Sequence, residues 1–106
     1  MVFKDSLILT FYIDNGDPEE LEALEALKRN LDIKLRISKL GRYDDCSFDE
    51  REQCFKIDIL GNDAEAMLQA LLPLIREADF LIGPRATLIM RGYEQSGKAA
   101  IKHVDL

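Results

Sequence analysis

Six side chains able to do chemistry or to bind crowd into one short stretch: Tyr43, Asp44, Asp45, Asp49, Glu50 and Glu52. Carboxylates at this density can hold a hard cation, act as an acid–base pair, or attract a basic protein. The stretch lacks the Asp-x-Asp-x-Asp-Gly alternation of a dedicated calcium loop, so no metal is expected. Glu19, Glu20, Glu22 and Glu25 add further acids upstream, with Glu22 and Glu25 off the apolar stripe of a predicted helix.

Nucleophilic catalysis needs a base beside its nucleophile. His103 is the sole histidine, and no local motif joins it to Cys46 or Cys54. It reads as a partly exposed strand residue, and no catalytic residue is expected. The two cysteines match no zinc spacing and are too few for a disulfide scaffold. Cys54 reads as a small core-side residue and Cys46 as a loop thiol. Asp14-Asn15-Gly16-Asp17 sits where a phosphate loop would, but its two carboxylates repel phosphate, so it reads as a capped turn and no cofactor is expected.

RNA recognition on an open sheet would need stacked aromatics. Thr10, Tyr12, Lys56, Asp58 and Leu60 are expected on that face, with Arg36, Lys56 and Arg91 as possible charge. Tyr12 is a possible platform, yet Asp58 stands where a second aromatic is wanted. The net charge is −6, and residues 1–53 hold 13 acids against 8 bases. Such a chain is repelled by nucleic acid and by anionic membranes and drawn to basic proteins.

The elements that must position these residues follow from periodicity. Leu7, Leu9, Phe11 and Ile13 alternate with Ile8, Thr10 and Tyr12, which predicts a central strand over 7–13. Asp17, Pro18 and Glu20 predict a helix start. Leu21, Leu24, Leu27 and Leu31 give that helix its buried stripe. Ile33, Leu35 and Ile37 against Lys34, Arg36 and Ser38 predict a half-buried strand over 33–40. The aperiodic 41–53 reads as a long hairpin loop, open to strand extensions at either end, and Phe55, Ile57 and Ile59 mark a strand over 54–60.

Asn62 and Glu65 predict the cap of a second helix, with Met67, Leu68, Leu71, Leu72, Ile75 and Ala78 facing inward and a kink or break at Pro73. Gly83-Pro84 predicts a stop. A strand over 86–93, a turn at Gln95-Ser96-Gly97-Lys98 and a strand over 99–106 complete the chain. Leu9, Phe11, Leu24, Leu35, Ile57, Leu71 and Leu88 are expected to share one core.

A chain of 106 residues, 47% hydrophobic and 32% charged, suits a single α+β domain spanning 1–106. The expected fold is ferredoxin-like, β-α-β-β-α-β with an extra C-terminal strand and two helices on one face of an antiparallel sheet. Without an apolar span or a basic leader, a cytoplasmic place and no membrane partner are expected.

The expected function is a non-enzymatic acidic binding protein that neutralises a basic partner, as a cytosolic immunity protein or antitoxin blocks a nuclease toxin. That comparison is one of type, carried by size and charge. The expected contacts are Tyr43, Asp44, Asp45, Asp49, Glu50, Glu52, Glu22 and Glu25. The alternative is a small regulatory ligand-binding or dimerisation domain using the open sheet face. The sequence leaves monomer and homodimer equally open.

Overall fold

Alternation in the first strand decides which side of the sheet is buried. In the computed structural model, which describes residues 4–14, 16–90 and 100–106, Leu7, Leu9 and Phe11 of β1 (Asp5–Tyr12) are buried. Ser6, Ile8 and Thr10 are half-buried on the other face. The chain continues as α1 (Pro18–Ile37), β2 (Gly41–Asp49), β3 (Cys54–Gly61), α2 (Ala64–Glu77), β4 (Ile82–Met90) and β5 (Ala100–Asp105).

The five strands form one sheet in the order β2-β3-β1-β4-β5, and every neighbouring pair is antiparallel. Both helices lie on the Leu7–Phe11 side. Leu24, Leu27, Leu31 and Leu35 of α1 and Met67, Leu68, Leu71 and Ile75 of α2 join Ile57, Ile59, Ala86 and Leu88 in one core. All seven residues expected in the core are there. The opposite face of the sheet carries no helix among the described residues.

The strand expected over 33–40 is absent. Residues 33–37 complete α1, because Leu35 continues the Leu24, Leu27, Leu31 stripe one turn further, while Ile33 and Ile37 are exposed. The helix ends in a Schellman motif: the Leu40 N–H donates to the Leu35 carbonyl and the Lys39 N–H to the Arg36 carbonyl. Lys39 takes the left-handed conformation (φ 56°) that usually calls for glycine. Leu21, expected in the stripe, is exposed.

The second strand is instead β2, so the expected loop over 41–53 is a strand followed by a tight turn. Gly41 pairs with Gly61 across β2 and β3. A Cβ on either would strike the Met67 sulfur and a backbone carbonyl, so the two glycines let α2 settle on this end of the sheet. Asp63, not Asn62, caps α2, its Oδ1 accepting from the Ala66 N–H at 3.1 Å. A second acid assists from the sheet: Asp5 is 1% exposed, and its Oδ2 accepts the Ala64 N–H at 3.0 Å.

Pro73 neither breaks nor ends α2, which runs on to Glu77. Pro73 is exposed, whereas Leu71 and Ile75 on either side of it are buried and hold the helix to the core. Gly83-Pro84 lies within β4 rather than stopping an element before it. The β1–β4 register shifts between Thr10 and Tyr12, opposite Gly83, whose φ of 58° fits a strand irregularity of this kind. The expected turn at 95–98, the end of the predicted strand over 86–93 and Arg91 lie outside the described residues.

Candidate functional site

Pairing register places the open face residue by residue. One cross-strand row runs Ser47, Lys56, Thr10, Arg85, Asp105; the next runs Asp45, Asp58, Ile8, Thr87, His103. Acids thus gather at the β2 edge, and two cations flank Thr10 near the sheet centre.

Asp45 lies directly opposite Asp58, where like charges destabilise a sheet. Asp44 occupies an irregularity between Tyr43 and Asp45, and its Oδ1 is 3.7 Å from Arg42 Nη1. Burial pushes the Asp58 carboxyl above the ordinary aspartate value, Asp44 and Asp45 push it further, and Lys56 opposes them.

Asp49 behaves differently. Its Oδ1 accepts the N–H groups of Arg51 (2.9 Å) and Glu52 (3.2 Å), and its Oδ2 is 3.2 Å from Lys56 Nζ. The Glu52 N–H, then Lys56, hold its carboxyl below the ordinary range. Asp49 therefore builds the turn between β2 and β3. Glu50 and Glu52 are exposed on that turn, where the Glu50 carbonyl accepts from Gln53 Nε2.

Tyr43 turns to the helix side, paired with Ile59. Its backbone N–H donates to Asp32 Oδ1 at 3.0 Å, which occupies a donor of edge strand β2. Glu22 and Glu25 are exposed on α1, and Glu25 bonds Lys28 at 2.6 Å. The expected contact residues therefore do not share one surface. Asp45 lies on the open face, while Tyr43, Glu22 and Glu25 lie on the helix side.

The remaining candidates separate as well. Arg36, expected on a strand, sits on α1 and bonds Asp32 at 2.8 Å. Cys46 faces the helices beside the core, where burial pushes its thiol up, so it is no loop thiol. Cys54 is buried but shares the open-face register of Asp49 rather than joining the core, so the two thiols lie on opposite sides of the sheet. His103 is exposed on β5, its Nδ1 3.0 Å from Thr87 Oγ1. Three strand spacings, about 14 Å, separate its strand from that of Cys54, beyond the reach of proton transfer. Among the described residues no group of three or more His, Cys, Asp or Glu is arranged to hold a metal.

Sequence reasoning missed the cleft beside the cation row. It measures about 500 Å³ and is lined by Thr10, Tyr12, Glu52, Cys54, Lys56, Gly83 and Arg85. Alternation had placed Thr10, Tyr12 and Lys56 on this face; only register brings Arg85 to them. No family model matches the chain, and no curated protein or solved structure matches it. No helix among the described residues is long and apolar enough to cross a membrane.

Proposed function

We propose that this chain is a non-enzymatic acidic binding domain that engages a basic protein along its β2 edge, through Asp44, Asp45 and Asp58. Asp45 facing Asp58 across the strands carries the reading: a lysine or arginine brought there relieves a repulsion the fold itself maintains. Glu50 and Glu52 extend the negative field along the adjoining turn, and Glu22 and Glu25 extend it around the helix side. The net charge of −6 supports long-range steering of such a partner.

The type of protein that suits this is a cytosolic immunity protein or antitoxin that occupies the phosphate-binding surface of a nuclease toxin. The fold reading that goes with it is a ferredoxin-like β-α-β-β-α-β unit with β5 extending the β4 edge, which the order β2-β3-β1-β4-β5 supports. A second reading, favoured by the cleft beside Tyr12, makes the open face a regulatory surface for a small ligand or a second copy of the chain.

The test is capture of a basic protein from native extract, followed by stopped-flow association across a salt series. Charge reversal of Asp44 and Asp45 to lysine should slow association at least tenfold at low salt and flatten its salt dependence, with far less effect on dissociation. Association equal to the native chain's at every salt concentration would remove this edge from the interface.

A further inference from the structure

We propose that the cleft between Lys56 and Arg85 binds a small phosphate-bearing ligand with a flat ring, the phosphate held over Thr10 and the ring against Tyr12. The proposal rests on the open-face reading and shares with the acidic region only Glu52, which lines one side of the cleft. Lys56, Thr10 and Arg85 stand side by side in one cross-strand row. Two strand spacings, about 10 Å, separate the cationic positions, so their long side chains can converge on one oxyanion while the Thr10 hydroxyl lies between them.

Tyr12 is two residues further along the same face and is 43% exposed. Gly83 borders the same cleft; a Cβ there would meet the Tyr12 ring at 3.9 Å, an ordinary contact distance, so the glycine keeps this flank of the ring clear. The cleft volume, about 500 Å³, lies within the usual range for ligands of nucleotide size.

Each cation already holds a carboxylate of its own chain: Lys56 pairs with Asp49 at 3.2 Å and Arg85 with Asp105 at 3.1 Å. The Arg85–Asp105 pair is solvent-exposed and the Lys56–Asp49 pair half-buried, and pairs this open to water contribute little, so a doubly charged phosphate can displace or share them. A polymer is disfavoured on the same face. The next row presents Asp45 and Asp58 in place of cations, and a phosphate backbone continuing across the sheet would meet them. The chemistry selected is therefore one phosphate and one ring, as in a nucleoside monophosphate.

The experiment is an amide NMR titration of the full chain with adenosine monophosphate, ribose 5-phosphate and inorganic phosphate. Expected are saturable shifts centred on Thr10, Tyr12, Lys56 and Arg85, strongest affinity for adenosine monophosphate, and at least tenfold weaker binding by Lys56→Ala/Arg85→Ala. Tyr12→Leu should abolish the preference for the ring while keeping the response to ribose 5-phosphate. All these side chains lie outside the core, and unchanged spectra elsewhere check that the variants fold. Binding undiminished in the Lys56→Ala/Arg85→Ala variant overturns the proposal. So does the absence of shifts with all three probes. In that case, open-face shifts that follow protein concentration alone would leave a dimer surface in place, and their absence would remove the open-face reading too.

Discussion

The two ends of the open face differ in how their charges are balanced. Around Thr10, Lys56 and Arg85 each sit against a carboxylate of the same chain, and the region is locally neutralised. One row away, Asp58 faces Asp45 with Asp44 nearby, and its carboxyl is pushed up by burial and by these neighbours. The same sheet, read one residue pair further on, changes from a surface whose cations are weakly paired within the chain to one that gains from an added cation. Net charge alone does not distinguish the two; cross-strand register does.

The largest effect comes from the platform both ends share. Phe11 is buried and stacks on Phe55, with ring centroids 5.8 Å apart. Phe11→Ala should cost about 3–5 kcal/mol in chemical denaturation, from lost transfer energy plus a cavity. A loss under about 1 kcal/mol would mean the two ends do not rest on one core.

Smaller and opposite effects should separate two carboxylates of the acidic region. Asp58 has a raised folded pKa, so the folded chain binds its proton more readily than the unfolded chain, and ionising it costs stability as pH rises through that value. Asp58→Asn should therefore raise the melting temperature at neutral pH, and the gain should fade as pH falls below the folded pKa of Asp58 and be gone below the ordinary aspartate value. Asp49 has a lowered folded pKa, so its contribution is present above the unfolded value and is lost as pH falls through the folded one. Asp49→Ala should lower the melting temperature at neutral pH, with the ionic part of that loss fading in acid. Thermal melts from neutral to acidic pH check both signs; the same sign for both variants would erase the distinction.

The smallest effect is expected at His103, exposed beside the cation row. His103→Ala should change stability by no more than about 0.5 kcal/mol and leave partner association unaltered. A larger loss of stability would give the Thr87–His103 bond a structural role.

Much of the core was legible in the sequence because burial imposes periodicity: Leu7, Leu9 and Phe11 alternate, and Met67, Leu71 and Ile75 recur at helical spacing. The end of α1 was not. Residues 33–38 fit a strand pattern and a helix pattern at once, and the stop signal is carried by Lys39 in a left-handed conformation rather than by a glycine. That one misplacement turned β2 into a loop and hid the alternation of its acids. Asp44, Asp45, Asp49, Glu50 and Glu52 were visible as a cluster, but Asp58, the acid that faces Asp45, became a candidate only through register. Arg85 joined Lys56 for the same reason, since a one-residue slip would send either to the other face.

The central claim is that Asp45 and Asp58 receive a cation from a basic partner. The most direct measurement is an NMR titration of the Asp58 side-chain carboxyl, in the free chain and in complex with the captured partner. Titration above the ordinary aspartate value when free, falling on complex formation as a lysine or arginine arrives, is the predicted result. An Asp58 titration unchanged by the bound partner would contradict the account.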